Sequence, residues 1–204
     1  MIAIVDMGSG NLRSVAKAVE RAGGSAAVTQ DPDVVRRADR VVVPGQGAFR
    51  DGMAGLAARH LDDAVREVIR AGKPYLGICL GLELLFDESD EHRDEHGPVR
   101  GLGIFPGRVV RFPERPGLKV PHMGWNDVRL CRDEPLWRGV PDGAYVYFVH
   151  SYYAVPAGPV TCLEADYGGR FCAAIRHENL FACQFHPEKS QAVGLAILQN
   201  FVRA

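Results

Sequence analysis

One cysteine lies between two glycines where an apolar segment changes character. The stretch is Gly77-Ile78-Cys79-Leu80-Gly81; a buried strand is expected before Cys79 and a helix after it. This pattern projects a nucleophile from a tight strand-to-helix turn. Glycines there let backbone and substrate come close. The helix N-terminus would favour the thiolate, and the Leu80 N–H would face an oxyanion formed on attack. A buried cysteine that serves packing alone is the alternative.

A base and an orienting carboxylate for such a thiol occur near the end of the sequence. In the segment QFHPEKS, His186 and Glu188 flank Pro187, and proline pushes the residue before it into an extended conformation. Side chains two residues apart in an extended chain project from the same side. Glu188 would then hold Nδ1 of the imidazole while Nε2 faces the thiol. The alternative is an exposed charged turn at the end of a strand.

A second oxyanion donor is predicted in the turn Pro44-Gly45-Gln46-Gly47. Its two glycines allow unusual peptide orientations, so the backbone around Gln46 and Gly47 can aim an N–H at the site. An ordinary loop between a strand and a helix explains the same residues without any chemistry.

The elements that must position these groups alternate in the first half. Strands are predicted over 2–5, 25–29, 40–45 and 75–78, and helices over 11–23, 53–71 and 80–86. Solid apolar strands that alternate with helices predict an α/β fold with a mostly parallel central sheet flanked by helices.

The second half is expected to add an antiparallel β extension. Strands are predicted over 107–112, 145–150 and on both sides of a hairpin tip at 177–179, before a last helix capped by Ser190. The acidic run 87–97 is predicted to be a loop. Its histidines, His92 and His96, lack the spacing of a zinc site, so no metal is expected.

Composition limits the class of protein. The 204 residues are 47% apolar and are predicted to form a single domain, 1–204. With 24 basic and 25 acidic residues, the charge gives no case for binding nucleic acid or a membrane. The five cysteines form no CxxC pair, so free thiols and a cytoplasmic protein are expected.

Taken together and in order, PGQG, GICLG and HPE resemble the motifs of the class I, triad-type glutamine amidotransferases. Four further segments resemble one family among them, the glutaminase subunits of imidazole glycerol phosphate synthase in histidine biosynthesis. These segments are GSGNLRSV (8–15), PHMGWN (121–126), YFVHSYY (147–153) and FHPEKSQ (185–191). The resemblance covers nearly the whole chain.

The resemblance implies a reaction and a partner. Cys79 would attack the side-chain carboxamide of L-glutamine, and a glutamyl thioester would form as ammonia leaves. Water activated by His186, which Glu188 orients, would then release glutamate. The ammonia would pass to a (β/α)₈-barrel cyclase subunit in a heterodimer. No metal or organic cofactor is implied.

The resemblance also implies substrate contacts at Glu83, Glu91, Tyr147, His150, Ser151 and Tyr152. Glu91 suits the α-ammonium group of the substrate. Glu83 stands where glutamine is usual, and a carboxylate cannot donate as an amide can. Ala48 stands where relatives often have histidine. For His150, a purely structural role is the alternative.

The same resemblance places Trp125, Asn126 and Lys189 at the partner interface, although a tryptophan is otherwise more often a core residue. Three other functions stay open on the sequence: delivery of ammonia to pyridoxal phosphate or anthranilate synthesis, a cysteine hydrolase of similar fold, and a non-catalytic scaffold subunit. The segments PHMGWN and FHPEKSQ tell against the first, and the intact triad tells against the last.

Overall fold

A computed structural model describes residues 1–94 and 97–204 of the chain. Its strands are β1 (Ile2–Val5), β2 (Ala26–Thr29), β3 (Arg40–Gly45), β4 (Tyr75–Cys79), β5 (Phe86–Asp94), β6 (Gly97–Arg100), β7 (Phe105–Arg111), β8 (His122–Asp127), β9 (Arg129–Leu130), β10 (Tyr145–His150), β11 (Tyr152–Pro156), β12 (Thr161–Asp166), β13 (Arg170–His177) and β14 (Leu180–Cys183). Its helices are α1 (Leu12–Arg21), α2 (Pro32–Arg37), α3 (Phe49–Ala57), α4 (Leu61–Arg70), α5 (Leu80–Glu83) and α6 (Gln191–Arg203), with short 3-10 helices at Pro135–Trp137 and Pro187–Lys189.

An eight-stranded sheet forms the centre of the molecule, in the order β2-β1-β3-β4-β14-β13-β12-β9. The first five strands of this order pair in parallel, and the rest continue in antiparallel pairs. Two smaller sheets accompany it, the ribbon β10-β8 and the sheet β11-β7-β5-β6. The predicted α/β fold with a parallel centre and an antiparallel extension is therefore confirmed.

The apolar side chains form one cluster on each face of the central sheet. On one face α1 and α6 contribute Val15, Val19 and Ile197 to the packing. On the other face α2, α3 and α4 contribute Val35, Leu56 and Val65. Both faces of β1, β3, β4 and β14 are thus covered, which explains why these strands are apolar throughout rather than alternating, while the edge strand β2 is partly exposed.

Some predicted elements differ from the structure in the first half. The predicted helix over 53–71 is two helices, α3 and α4, because His60 adopts a left-handed φ of 55° between them. The short helix α2, which begins with Pro32 after the capping Asp31, was not predicted.

Up to Asp94, the acidic run is a strand and not the predicted loop. Residues 86–94 form β5, which pairs with β6 and β7. His96 lies outside the described residues, so the structure does not bear on its prediction. In the described ranges, no cluster of three or more candidate metal ligands occurs, and no helix is long and apolar enough to cross a bilayer.

The helix after Cys79 is much shorter than predicted. It ends at Glu83, where the N–H of Leu85 donates to the carbonyl of Leu82 instead of that of Gly81, which accepts from the Tyr75 hydroxyl at 3.2 Å. The carbonyls of Leu84 and Leu85 accept from the N–H groups of Leu102 and Ile104. Phe86 then enters the smaller sheet opposite Phe105. The apolar run that indicated a helix is in fact a buried crossing between two sheets.

Candidate active site

The cysteine turn lies at the carboxyl edge of the central sheet. Cys79 ends β4 directly beside Gly45 of β3, and its φ of 53° with ψ of −108° is a conformation that residues with a side chain rarely adopt. The residue is only 7% exposed. A strained nucleophile position of this kind is characteristic of the strand-turn-helix elbow.

The two glycines beside Cys79 allow close packing of the backbone. A Cβ at Gly81 would lie 1.8 Å from the carbonyl oxygen of Val43, and one at Gly77 would lie 2.6 Å from that of Gly81. Neither glycine lines the cleft described below. The close approach of backbone is therefore confirmed, because Gly81 lets the elbow pack against β3 and Gly77 lets β4 pack against Gly81 and Ala182 of β14.

Gly81→Ala is accordingly expected to lower the free energy of unfolding by about 3 kcal/mol, because backbone must move to admit the methyl group. Urea denaturation monitored by circular dichroism measures this. The matched control is Gly158→Ala, where an added carbon meets nothing within 4 Å, and a change within about 0.5 kcal/mol is expected. Equal losses in the two variants would contradict the packing role of Gly81.

The environment of the thiol differs from the prediction that a helix N-terminus favours the thiolate. The helix α5 has four residues, too few for a substantial macrodipole. Burial raises the pKa of the Cys79 thiol, and the nearby Glu83 carboxylate raises it further. The backbone N–H of Leu80 lowers the pKa by a hydrogen bond to the sulfur. In the free chain the thiol form is favoured.

The side chains of His186 and Glu188 are in contact, as their spacing around Pro187 predicts. His186 Nδ1 lies 2.7 Å from Glu188 Oε1, and both side chains are 2% exposed. The parallel pairing of β14 with β4 brings both chain segments to the same sheet edge. His186 Nε2 is buried and has no hydrogen-bond partner within residues 1–94 and 97–204. A carboxylate on Nδ1 holds the neutral tautomer in which Nε2 accepts a proton.

Ser190 fixes this turn and does not cap α6 with its side chain, contrary to the prediction. Its hydroxyl donates to the carbonyl of His186 at 2.7 Å and accepts from the N–H of Tyr147 at 3.0 Å. The N–H of His186 in turn donates to the carbonyl of Tyr147 at 2.9 Å. The histidine is therefore tied by its backbone to β10, which forms one wall of the cleft.

A cleft of about 400 Å³ opens over Cys79. It brings together the predicted oxyanion and substrate residues and one predicted interface residue. Its lining residues are Gln46, Gly47, Cys79, Leu80, Glu83, Glu91, Tyr147, Val149, His150, Ser151, Tyr152 and Lys189. His186 and Glu188 are absent from this lining.

The loop that carries Gln46 and Gly47 forms one rim of the cleft. Gly47 has a φ of 96° and is exposed, and a carbon added to it would meet nothing within 4 Å. Gly45 is held tightly, because a Cβ there would lie 2.9 Å from Cβ of Leu80. The loop is thus fixed against the elbow at its start and open at Gly47.

Two acidic side chains in the cleft are held differently. Glu91 is half-buried, and its Oε2 accepts a hydrogen bond from the N–H of Phe49 at 2.6 Å, in the first turn of α3. Glu83 is buried, and its Oε1 accepts from Nε2 of Gln184 at 2.7 Å. Burial, followed by the charge of Glu91, raises the pKa of Glu83 to about 8.

His150 belongs to a buried hydrogen-bond chain. Its Nδ1 lies 2.7 Å from the carbonyl oxygen of Tyr152, so Nδ1 carries the proton. Its Nε2 lies 3.0 Å from Nδ1 of His122 and accepts a hydrogen bond from the N–H of that nitrogen. Burial lowers the pKa of His150 to about 3 and that of His122 to about 4. His150 is therefore a neutral residue whose ring nitrogens both have partners in the chain.

The chain is similar to known proteins over nearly its whole length. The description "glutamine amidotransferase class-I" fits residues 3–204. The subunit HisH of imidazole glycerol phosphate synthase from Syntrophotalea carbinolica is 54% identical over 98% of this chain and 98% of its own length. The HisH subunit of Geobacter sulfurreducens is 52% identical over 98% and 97%.

The chain belongs to the class-I glutamine amidotransferases, in the HisH family.

Solved structures agree on the fold. A glutamine amidotransferase crystal structure superposes with a TM-score of 0.74 at 17% identity, covering 100% of this chain and 99% of that one. PurLQS from Thermotoga maritima gives the same TM-score and identity, with 99% and 97% covered. At this identity the likeness concerns the fold alone. The family assignment rests on the HisH relatives and confirms the resemblance seen in the sequence.

The residues predicted at the family's partner interface divide between two faces of the ribbon β8–β10. Trp125 is 46% exposed and packs edge-on against Tyr147, with ring centroids 6.1 Å apart. Lys189 Nζ lies 5.7 Å from the centroid of the Tyr147 ring. Asn126 faces the opposite way, and its amide donates to the carbonyl of Asp166 at 2.9 Å. The side chain of Asn126 thus holds the ribbon to β12 rather than facing outward with Trp125.

Two residues of this region were missed by sequence reasoning. Gln184 is fully buried beside Cys79 and Glu83, and Met123 extends the exposed apolar face of the ribbon next to Trp125. Gln184 precedes the apolar Phe185 in QFHPEKS, so a buried position could have been inferred from its neighbours. Met123 could have been found by alternation, because it lies two residues from Trp125.

Proposed function

We propose that this chain releases ammonia from L-glutamine with a Cys79-His186-Glu188 triad and supplies it to a (β/α)₈-barrel cyclase in histidine biosynthesis. The observation that carries the proposal is the cleft over Cys79, where an elbow thiol, candidate oxyanion donors and a carboxylate surround one space of about 400 Å³. The family supplies the reaction class, glutamine amidotransfer.

In this mechanism the thiol of Cys79 passes its proton to Nε2 of His186 as the sulfur attacks the carboxamide carbon. Glu188, 2.7 Å from Nδ1, stabilises the imidazolium. The N–H of Leu80 and a peptide N–H of the Gln46–Gly47 loop donate to the oxyanion. When the intermediate collapses, the carbon–nitrogen bond breaks and His186 protonates the leaving ammonia.

The second half of the reaction regenerates the thiol. A water molecule passes a proton to His186 and attacks the glutamyl thioester, and the collapse of the second tetrahedral intermediate returns that proton to the Cys79 sulfur as glutamate forms. Thiol, imidazole and carboxylate serve each proton transfer, so the proposal assigns no step to a metal or an organic cofactor.

Recognition of the substrate is assigned to the two walls of the cleft. Glu91 pairs with the α-ammonium group through the carboxylate that Phe49 orients. Tyr147, Ser151 and Tyr152 provide side-chain and backbone groups along the opposite wall. His150, with both ring nitrogens engaged, supports that wall and contributes to binding through its shape.

The proposed destination of the ammonia is a barrel cyclase that makes imidazole glycerol phosphate and an aminoimidazole carboxamide ribotide. The exposed face around Trp125, together with Lys189, is the proposed contact with this partner. Within this proposal the chain acts as one domain and works in the cytoplasm, where the pathway substrates are expected.

The test is a coupled assay of the purified chain with the barrel cyclase from the same genome, glutamine and the phosphoribosyl aminoimidazole carboxamide intermediate. Glutamate and imidazole glycerol phosphate should appear in equal amounts, because each ammonia released is incorporated. Formation of glutamate without imidazole glycerol phosphate would refute the proposed destination of the ammonia. Absence of glutamate formation would refute the proposed reaction.

A further inference from the structure

Gln184 occupies a position between the thiol and a carboxylate that nothing in the proposed reaction yet uses. It follows β14, and its backbone N–H is fixed by a 2.8 Å hydrogen bond to the carbonyl of Ala173. Its side chain is fully buried. The Nε2 atom lies 2.7 Å from Glu83 Oε1 and 3.8 Å from Cys79 Sγ. One amide group therefore faces both side chains.

Glu83 determines which way this amide points. Glu83 Oε1 accepts from Nε2 of Gln184 at 2.7 Å, which turns the NH₂ end of the amide toward Glu83, and a carboxyl can accept in this way whether or not it is ionised. With one N–H donated to Glu83, the other is left to face the sulfur of Cys79. The Oε1 atom of Gln184 is buried and finds no hydrogen-bond partner in the described part of the chain, a cost that the two N–H contacts must offset.

We propose that Gln184 is a positioning residue for the nucleophile: its amide, oriented by Glu83, donates a hydrogen bond that stabilises the Cys79 thiolate. The inference rests on the proposed function, in which Cys79 is the nucleophile. It assigns Gln184 no contact with the substrate, in agreement with its absence from the lining of the cleft.

The charges around the sulfur explain why such a donor matters. Burial and the carboxylates of Glu83 and Glu188 all oppose the thiolate, while the Leu80 N–H and the Gln184 amide favour it. His186 shares the edge of the sheet and is paired with Glu188. During attack the Leu80 N–H turns to the substrate oxyanion in the proposed mechanism. Gln184 is then the donor that stays with the sulfur.

Glu83 has two opposing effects in this arrangement. Its oxygen orients the amide of Gln184, but its charge disfavours the thiolate of Cys79. A glutamine at position 83 would still offer an oxygen to Gln184 and would carry no charge. Glu83→Gln and Gln184→Met should therefore shift the ionisation of Cys79 in opposite directions, which general damage to the site would not do.

The experiment is the pH dependence of alkylation of the full chain by iodoacetamide, followed for each cysteine by peptide mass spectrometry. The thiolate displaces iodide and forms a sulfur–carbon bond, so the rate reports the thiolate fraction. The reagent carries a carboxamide like that of glutamine and can enter the cleft. Cys131 is an exposed free thiol in the same molecule and serves as the internal control.

For Gln184→Met we expect the apparent pKa of Cys79 to rise by about one unit and its alkylation at pH 8 to slow about tenfold, with Cys131 unchanged. For Glu83→Gln we expect the pKa to fall by about one unit. With the barrel partner present, Gln184→Met should lower kcat about tenfold and leave KM for glutamine unchanged.

An unchanged pH profile in Gln184→Met, or a shift of the same sign in both variants, would overturn the inference. If Gln184→Met does not fold, the Glu83→Gln variant is sufficient by itself, because a rise in the pKa of Cys79 in that variant would overturn the inference. Alkylation requires no turnover of glutamine. A chain without glutaminase activity would therefore refute the proposed function, while the profiles would still decide the role of Gln184.

Discussion

Cys79→Ser is expected to abolish glutaminase activity while the barrel partner continues to make its product from added ammonium. A serine hydroxyl at this buried position ionises far less readily than a thiol, and the rate should fall by about 10⁴-fold or more, as when the nucleophile of a triad is removed. The measurement is glutamate release from glutamine by the complex, in parallel with ammonium-dependent synthesis. Loss of glutamate release with retention of ammonium-dependent synthesis would show that the substitution removes the glutaminase reaction and leaves the barrel subunit active.

The matched control is Cys131→Ser. Cys131 is also a free cysteine, but it is exposed and lies just after β9 at the far edge of the central sheet. This variant should retain both activities. Substantial glutaminase activity in Cys79→Ser, or an equal loss in Cys131→Ser, would remove Cys79 from the role of nucleophile.

The sequence predicts the framework of this site because its local signals and the fold agree. The apolar segment that ends at Cys79 and the segment before His186 both form parallel strands of one sheet, β4 and β14. Carboxyl ends of neighbouring parallel strands share an edge, so a thiol and an imidazole separated by more than a hundred residues in sequence reach the same place. The pairing of His186 with Glu188 is local and follows from their spacing around Pro187.

What the sequence could not predict depends on contacts between distant segments. After α5, the carbonyls of Leu84 and Leu85 bond to the N–H groups of Leu102 and Ile104, and the carbonyl of Gly81 accepts from the Tyr75 hydroxyl rather than from a further turn of helix. The hydroxyl of Ser190 bonds to His186 and Tyr147 rather than serving as a helix cap. The pattern of residues around each position carries no information about such partners.

Glu83 shows the same limit in the chemistry of the site. From the sequence it is a carboxylate in place of an amide, with an uncertain contact to substrate. In the structure its first partner is Gln184, which lies 101 positions away. Its elevated pKa follows from burial beside Glu91. The consequence of the substitution is therefore set by a neighbour in space that only the fold identifies.

The isolated chain is expected to hydrolyse glutamine slowly, and the barrel cyclase with its nucleotide substrate should raise the rate about 10²- to 10³-fold. A factor of this size is typical of one hydrogen-bond donor to the oxyanion. We expect the open loop at Gly47 to supply this donor when the partner binds. The exposed Trp125 packs against Tyr147, which lines the cleft. The carbonyl of Tyr147 accepts a hydrogen bond from the N–H of His186. A partner bound at the ribbon β8–β10 would therefore be connected to His186 through Trp125 and Tyr147.

Trp125→Ala should therefore weaken the complex by about 2 kcal/mol, or about 30-fold in Kd, because a central exposed aromatic is a typical hot spot. Titrating the barrel subunit against glutaminase rate measures Kd and the maximal stimulation separately. Val28→Ala is the control, since Val28 is also 46% exposed but lies on β2 at the opposite edge of the central sheet from β9. It should leave Kd unchanged.

A fully active isolated chain would show that the loop at Gly47 needs no partner. An unchanged Kd in Trp125→Ala would place the interface elsewhere.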